Sequence, residues 1–185
     1  MASRRRRSHV VFIVGGASSG KSEAALRLAA KGMDKTAPHA FVATGEGLDE
    51  EMTMKIARHR HSRSSTWVTA EVPLDLSTWF KEQGRNYRVM LVDCLTMWLS
   101  NHIERGTKEP EIIEETKTLL GMIRRIGGRV VLVSNELGMG LVPVDAASRR
   151  FRELAGEVNR FVAQEADEAY FVVSGLLIPL RKEEL

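Results

Sequence analysis

An apolar run at residues 9–14 leads directly into Gly15-Gly16-Ala17-Ser18-Ser19-Gly20-Lys21-Ser22, and this junction constrains the fold more than any other part of the chain. The octapeptide matches the pattern of Gly, four residues, Gly, Lys and then Ser or Thr. It separates a predicted strand from a helix predicted at 23–31, as a phosphate-binding loop requires. In such a loop backbone N–H groups face the phosphates, Lys21 reaches the β- and γ-phosphates, and Ser22 can ligate Mg²⁺. We therefore expect the chain to bind a nucleoside triphosphate, with an ordinary glycine turn as the alternative.

The rest of the chain alternates short β-rich runs with helix-like segments. Further strands are predicted at 40–44, 88–93, 129–135 and 169–174. Helices are predicted at 49–59, 75–83, 94–104, 110–126 and 145–166. The runs at 89–92 and 130–133 are apolar throughout, which is typical of parallel strands covered by helices on both faces. We expect an α/β, P-loop NTPase-type three-layer fold with a mainly parallel central sheet; residues 66–72 are either a short strand or an extended excursion.

Size and composition narrow the class of protein. The 185 residues suit a single catalytic domain, which we expect at 9–185. No run approaches the roughly 20 apolar residues of a membrane span, so we expect none. The single cysteine, Cys94, excludes an internal disulfide and suits a reducing, cytoplasmic setting.

The first eight residues contain four consecutive arginines, Arg4, Arg5, Arg6 and Arg7, which supply part of the formal net charge of +3. We expect residues 1–8 to form a disordered, solvated tail, with contact to nucleic acid or anionic lipid as the alternative. No nucleic-acid partner is predicted for the chain.

A carboxylate ends one of the predicted buried strands. Phosphate-binding loops work with a carboxylate at the end of another strand, which holds Mg²⁺ directly or through water. Asp93 closes the run Val89-Met90-Leu91-Val92 and has this position. We therefore expect Ser22 and Asp93 to hold Mg²⁺; an N-cap for the following helix is the alternative role of Asp93.

The helix predicted at 49–59 begins with three acids and ends in a cluster of arginines and histidines. This polarity suits the helix dipole, and the arginines would attract a polyphosphate and lower the pKa of a nearby imidazole. Helical spacing places His59 on the same face as Ile56, whereas His61 falls at or beyond the helix end. Because neutral imidazole is a competent nucleophile, His59 is the catalytic candidate, with a partly buried structural histidine as the alternative.

From Val10 onward, several short sequence blocks follow one another in a characteristic order. Besides the loop at 15–22 they are Ala43-Thr44, Leu48-Asp49-Glu50-Glu51-Met52, the stretch 56–59, Trp67 with Thr69 and Glu71, Asp93-Cys94, the stretch 134–143, the stretch 151–156 with Asn159, and 172–175. The phosphate-binding loop is shared by many families, whereas the Asn-Glu-x-Gly-x-Gly-x-Val-Pro block at 135–143 and the histidine helix are far more specific to one family. In this order the blocks resemble the bifunctional adenosylcobinamide kinase and adenosylcobinamide-phosphate guanylyltransferase family of cobalamin synthesis.

The resemblance implies two reactions. A nucleoside triphosphate, ATP or GTP, first phosphorylates the hydroxyl of the aminopropanol arm of adenosylcobinamide. GMP then moves from GTP to adenosylcobinamide phosphate, which gives adenosylcobinamide-GDP and pyrophosphate. His59 aligns with the family's guanylylated histidine, and Lys21 would stabilise charge on the transferred or departing phosphate. A homotrimer whose sites use neighbouring subunits is also implied.

The resemblance further implies the residues that contact nucleotide and substrate. The nucleotide contacts are Gly15, Gly16, Ala17, Ser18, Ser19, Gly20, Lys21, Ser22, Ala43, Thr44, Gly45, Arg60, His61, Ser62, Arg63, Glu71 and Asp93. The corrinoid or phosphate site would include Asn135, Glu136, Gly138 and Gly140, just past a parallel strand, although these glycines could simply serve a tight turn. Glu71 suits guanine because a carboxylate accepts hydrogen bonds from the ring N1–H and the exocyclic amine; a plain surface glutamate is the alternative.

Two positions depart from the family pattern. Ser18 stands where the family often has Arg, and Gly45-Glu46 stands where other small or polar residues are usual. Two other functions also remain open from the residues. One is a simple P-loop kinase for a small metabolite, in which His59 is structural and no covalent enzyme–GMP species forms. The other is a nucleotide-switch protein that uses the block at 135–143 for partners and needs no corrinoid.

Overall fold

The computed structural model of this protein describes residues 7–31, 37–46 and 66–181. Its strands are β1 (His9–Gly15), β2 (His39–Ala43), β3 (Trp67–Glu71), β4 (Val89–Asp93), β5 (Arg129–Asn135), β6 (Glu168–Val173) and β7 (Leu176–Leu180). Its α-helices are α1 (Lys21–Ala30), α2 (Leu76–Gln83), α3 (Leu95–Glu104), α4 (Glu109–Ile126) and α5 (Ala146–Glu165), and a 3₁₀ turn (Gly84–Asn86) follows α2.

The described strands form one sheet of order β3-β2-β4-β5-β1-β6-β7. Every neighbouring pair is parallel except β6 and β7, which are antiparallel. The expected α/β fold with a mainly parallel sheet is thereby confirmed. The open segment at 66–72 contributes a strand, since β3 pairs with β2.

The sheet buries its two faces against different helices. On one face Val11 and Ile13 of β1 pack with Ala25 and Leu28 of α1. On the other face Phe12 belongs to the larger apolar cluster that residues of α2, α3, α4 and α5 complete. Alternate residues of one strand thus face opposite layers, which is why the strands are apolar throughout.

The sequence prediction and the structure differ at one strand and at several element ends. Most boundaries shift by one or two residues, as is usual for frayed ends. The strand β7 was not predicted, because it is an exposed antiparallel edge strand that contains Pro179. The helix predicted at 49–59 and the arginines Arg4, Arg5 and Arg6 lie outside the described residues. Within the described ranges, no helix has the length and apolar character needed to cross a membrane.

Gly15 is a position where the sheet itself excludes a side chain. It is paired with Val172 across β1 and β6, and a Cβ added there would collide with the Val172 carbonyl oxygen. We predict that Gly15→Ala lowers the free energy of unfolding by about 1–3 kcal/mol, because neither backbone can move without disturbing the ladder. The measurement is denaturant unfolding followed by circular dichroism.

Gly121→Ala is the matched control. Gly121 lies in α4, and a Cβ there would meet nothing within 4 Å. Alanine is also the better helix former, so this variant is expected to be at least as stable as the wild type. Equal stability of the Gly15→Ala variant and the wild type would contradict the packing described for β1 and β6.

Candidate active site

The carboxyl ends of five parallel strands meet at one edge of the sheet. Gly15 at the end of β1 is paired with Asn135 at the end of β5. Ala43 at the end of β2 is paired with Asp93 of β4 on one side and with Glu71 of β3 on the other. These five residues, which the sequence placed in the candidate site, therefore lie in a row along the edge where open α/β sheets bind ligands.

The phosphate-binding loop connects the end of β1 to the start of α1. Its backbone takes the left-handed conformation at Ser18, with φ of 53°, and at Gly20, with φ of 92°. Gly20 immediately precedes α1 and makes no side-chain cap, so the first N–H groups of the helix are not taken by a capping side chain. Such N–H groups and the helix dipole favour a bound phosphate.

The Lys21 ammonium group is buried against the loop. Its Nζ donates a hydrogen bond to the Gly16 carbonyl oxygen at 2.5 Å. Burial lowers the pKa of Lys21, while negative charge on Cys94 and Asp93 would raise it. Burial also raises the pKa of the Cys94 thiol to about 11, so the thiol stays protonated at neutral pH. The Asp93 carboxylate is thus the negative charge that Lys21 faces.

Asp93 and Ser22 are directly linked, since Ser22 Oγ donates to Asp93 Oδ2 at 2.9 Å. Asp93 does not cap the following helix: the residue preceding α3 is Cys94, and the helix has no side-chain cap. No group of three or more His, Cys, Asp or Glu side chains that could hold a metal occurs within the described residues. A hydroxyl and a carboxylate oxygen suit Mg²⁺ in sites where phosphates supply further ligands.

Thr44 links the ends of β2 and β4 through its side chain. It is 0% exposed, and its Oγ1 accepts a hydrogen bond from Cys94 N at 2.8 Å and donates to Cys94 O at 2.7 Å. Its backbone N also donates to Asp93 O at 3.2 Å. Gly45, the next residue, is partly exposed, and Glu71 is exposed at the end of β3. Nucleotide contacts from these residues remain predictions.

The loop that follows β5 begins against the phosphate-binding loop. Glu136 N donates to Gly15 O at 2.9 Å. Asn135 is held from both sides, because its N donates to Thr96 Oγ1 at 2.7 Å and its carbonyl oxygen accepts from Asn159 Nδ2 at 2.9 Å. The block at 135–143 is therefore anchored next to the predicted phosphate site.

Two arginines of α5 hold the remainder of this loop by its carbonyl groups. Arg152 donates to Leu141 O at 2.9 Å and also to Gly138 O. Arg149 donates to Pro143 O at 3.0 Å. Four apolar side chains of the loop are 71–98% exposed: Met139, Leu141, Val142 and Val144. The loop thus presents an apolar surface from a backbone that side-chain hydrogen bonds hold in place.

The turn between β6 and β7 supports the phosphate-binding loop from the other side. Gly175 N donates to Ser19 O at 2.9 Å, and Gly20 lies so close that an added Cβ would contact Gly175 Cα at 3.4 Å. Ser174 and Gly175 both have positive φ, at 50° and 77°. This explains the Ser-Gly pair at the end of the family-like block at 172–175.

Five predicted residues lie outside the described ranges: His59, Arg60, His61, Ser62 and Arg63. Conversely, sequence reasoning missed Thr96, Asn101 and Arg149 as residues that hold the site together. For Asn101 a signal existed, because it follows Trp98 by three residues and so lies on the inward face of α3. A polar residue on an apolar helix face needs a hydrogen-bonding partner.

The fold resembles those of two solved structures. One is the KaiC-like protein PH0186 from Pyrococcus horikoshii OT3, with a TM-score of 0.55, 15% identity, and coverage of 89% of this chain and 71% of that one. The other is the flagellar accessory protein FlaH from Methanocaldococcus jannaschii, with a TM-score of 0.53, 13% identity, and coverage of 93% and 76%. At such identities the likeness shows a shared fold only.

Sequence comparison is more specific. The chain is 39% identical over 175 residues to the bifunctional adenosylcobalamin biosynthesis protein CobP of Pseudomonas aeruginosa, covering 94% of this chain and 98% of the relative. It is 34% identical over 185 residues to the bifunctional adenosylcobalamin biosynthesis protein CobU of Salmonella typhimurium, covering 93% and 99%. The family model for cobinamide kinase / cobinamide phosphate guanyltransferase matches residues 11–180. The chain therefore belongs to the cobinamide kinase / cobinamide phosphate guanyltransferase family.

Proposed function

We propose that this protein phosphorylates adenosylcobinamide and then transfers GMP from GTP to the product, which yields adenosylcobinamide-GDP. The observation that carries the proposal is that Lys21 and Ser22, at the start of α1, face Asp93 at its strand end, in a chain that matches the family over residues 11–180. Its relatives are named for adenosylcobalamin biosynthesis and called bifunctional. The arrangement suits phosphoryl and nucleotidyl transfer, which both depend on stabilising negative charge.

In the first reaction the hydroxyl oxygen of the aminopropanol arm attacks the γ-phosphorus of a nucleoside triphosphate. The bond from that phosphorus to the β–γ bridging oxygen breaks, the nucleoside diphosphate leaves, and the hydroxyl proton is released. Lys21 and the N–H groups of the loop neutralise charge on the transferred group. Ser22 and Asp93 would hold Mg²⁺, which supplies further neutralisation of phosphate charge.

In the second reaction the neutral imidazole of His59 attacks the α-phosphorus of GTP. A phosphorus–nitrogen bond forms, the α–β bridging bond breaks, and pyrophosphate leaves toward Lys21. A phosphate oxygen of adenosylcobinamide phosphate then attacks the same phosphorus, and the imidazole departs unchanged. Covalent catalysis of this kind replaces one difficult displacement by two easier ones.

The remaining residues of the row would recognise the two substrates. Gly45 and Glu71 adjoin the ends of β2 and β3, and the Glu71 carboxylate is suited to the N1–H and exocyclic amine of guanine. Past β5, the exposed apolar loop that contains Leu141 and Val142 offers a surface for the corrinoid. Asn135 and Glu136 join this loop to the phosphate-binding loop, so the corrinoid surface would adjoin the site at which its phosphate is added and then guanylylated.

The direct test of the second reaction uses GTP labelled at the α-phosphate. We expect wild-type protein with Mg²⁺ to retain label after denaturation, in a bond that acid cleaves and base leaves intact. His59→Ala should retain none, because no imidazole is available to form the phosphoramidate. His9→Ala, which removes a partly exposed imidazole from the opposite end of β1, serves as the matched control and should label normally.

The outcome separates the alternative functions. If active, GTP-binding wild-type protein takes up no label, a simple kinase in which His59 is structural becomes the better account. Label that persists in His59→Ala and disappears in His61→Ala would move the nucleophile to the second histidine. A nucleotide switch would show neither label nor any response to corrinoid.

The proposed Mg²⁺ site predicts a second result. Asp93→Asn removes the charged oxygen that lies beside Ser22. We expect it to raise the Mg²⁺ concentration for half-maximal phosphorylation of adenosylcobinamide by roughly 10- to 100-fold. The assay follows nucleoside diphosphate release across an Mg²⁺ titration. Glu114→Gln, a change on the exposed face of α4, should match the wild type; an unchanged requirement in Asp93→Asn would rule out its role in Mg²⁺ binding.

We also propose that the active assembly is a homotrimer, as the family resemblance implies. The edge strand β7 exposes three large apolar side chains: Leu176, Ile178 and Leu180 are 44–67% exposed. No strand within the described residues pairs with the outer edge of β7. An apolar edge strand of this kind favours association with another chain.

The trimer can be tested by changing the two edges of the sheet. We expect Leu176→Glu combined with Leu180→Glu to produce monomers, because two charges would be buried at the contact. Val68→Glu changes a side chain of β3 that is 51% exposed, at the opposite edge, and should leave the trimer intact. Sedimentation equilibrium gives the masses; a wild-type monomer, or dissociation by Val68→Glu alone, would contradict the assignment.

A further inference from the structure

Asn101 is a buried amide that joins the ends of two strands. It lies in α3 and is 0% exposed. Its Nδ2 donates to Thr44 O at 2.8 Å and to Pro73 O at 2.9 Å. These carbonyl groups lie just past the last paired residues of β2 and β3, Ala43 and Glu71. One side chain therefore sets the distance between two chain segments where the ladder of the sheet has ended.

Arg105 extends the same contact by one helical turn. Its guanidinium group forms a bidentate salt bridge with Glu46, with Nη1–Oε2 at 3.0 Å and Nη2–Oε1 at 2.7 Å. Nη1 also donates to the carbonyl oxygen of Asn101 at 3.3 Å. The hydrogen bond from Arg105 lowers the pKa of Glu46, so this carboxylate is charged across the neutral range. The pair fixes the residue that follows Gly45 to the end of α3.

Thr44 connects Asn101 to the end of β4, because its backbone N donates to Asp93 O at 3.2 Å. The carbonyl group of Thr44 is bonded to Asn101, whereas its hydroxyl is bonded to the backbone of Cys94. Lys21 and Ser22 lie on α1 and are held by other bonds, Lys21 to the Gly16 carbonyl oxygen and Ser22 to the Asp93 carboxylate. Loss of Asn101 would therefore release the ends of β2 and β3 and leave the phosphate-binding loop supported.

We propose that Asn101 is a positioning residue for the guanylyl-transfer step, and that Arg105 assists it. It holds Thr44 and Gly45 at the spacing from Glu71 that the guanine nucleotide requires. The inference rests on the proposed function, in which these strand ends contact GTP. Phosphorylation by ATP needs no guanine contact, so the two reactions should respond differently when Asn101 is changed.

The test uses Asn101→Ala and the isosteric Asn101→Asp in the wild-type chain. We expect the KM for GTP in guanylyl transfer to rise roughly tenfold or more as two hydrogen bonds are lost. The kcat of ATP-dependent phosphorylation should stay within about twofold of the wild type, since the hydrogen bonds removed end on Thr44 and Pro73 and not on the phosphate-binding loop. Adenosylcobinamide phosphate and adenosylcobinamide-GDP are quantified separately by chromatography.

A pH profile distinguishes positioning from simple loss of packing. In Asn101→Asp a carboxylate would face two carbonyl oxygens, and burial would raise the pKa of this carboxyl group. Below that pKa the protonated group can again donate one hydrogen bond. The guanylyl-transfer rate of Asn101→Asp relative to the wild type should therefore recover as pH falls, whereas the ratio for Asn101→Ala should stay flat.

Controls account for general destabilisation. Thr116→Val removes a buried hydroxyl of α4 that bonds its own helix, at Ile112 O, and should lower stability without shifting the KM for GTP. Where Asn101 variants fold poorly, Arg105→Ala provides a second test, because its side chain is 43% exposed. Arg105→Ala should raise the KM for GTP to a smaller extent than Asn101→Ala, and Arg105→Lys should restore part of the loss. Lys117→Ala, which breaks an exposed ion pair with Glu114, should have no effect on this KM.

Three results would overturn the inference. If the Asn101 variants keep a wild-type KM for GTP, the residue does not position the nucleotide. If both reactions lose activity equally, in proportion to the fall in the thermal unfolding midpoint of each variant, the role of Asn101 is structural only. In that case the proposed function stands, because the wild type still transfers GMP. A wild-type protein that transfers no GMP would refute the proposed function and the inference together.

Discussion

In-register parallel pairing is the constraint on which the site depends. Because Gly15 is paired with Asn135, and Ala43 is paired with both Asp93 and Glu71, residues far apart in sequence end their strands along one edge. A shift of one residue in any of these pairings would turn a functional side chain to the opposite face. The buried apolar residues of these strands therefore specify where the functional side chains at the strand ends are placed, although the apolar side chains themselves take no part in the chemistry.

The loops at this edge are held by hydrogen bonds between segments. The phosphate-binding loop is supported by the Gly175 turn on one side and by Glu136 on the other. Arg149 and Arg152 hold the carbonyl groups of the loop that follows β5, while Asn101 joins the segments after β2 and β3. These hydrogen bonds keep loops with exposed surfaces in defined positions, as preorganised sites for charge stabilisation require.

Much of the fold could be predicted from the sequence because its signals are local. The runs at 89–92 and 130–133 are apolar throughout, which predicts buried strands. The phosphate-binding loop motif predicts a strand before it and a helix after it. Motif logic predicted that Asp93 and Ser22 hold Mg²⁺ together; the two side chains are hydrogen-bonded in the structure, and their role in Mg²⁺ binding stays a prediction. By contrast, β7 contains Pro179 and is exposed at an edge, so neither burial nor alternation marks it.

The supporting residues of the site could not be predicted for a different reason. Asn101 binds two carbonyl groups in the segments that follow two separate strands, and Arg152 binds carbonyl groups of a loop more than ten residues away. Such bonds depend on how helices cross the strand ends, which periodicity does not encode. The role of His59 and the residues beside it remains a prediction, and so does a single domain at 9–185.

The proposed function requires one chain to perform two successive transfers on the same corrinoid. The most direct measurement follows the corrinoid by mass spectrometry after incubation with purified protein, Mg²⁺ and ATP, before and after GTP is added. Our account predicts adenosylcobinamide phosphate with ATP alone, and its conversion to adenosylcobinamide-GDP with one pyrophosphate released per molecule once GTP is present. Nucleotide consumption that neither depends on the corrinoid nor modifies it would contradict the account.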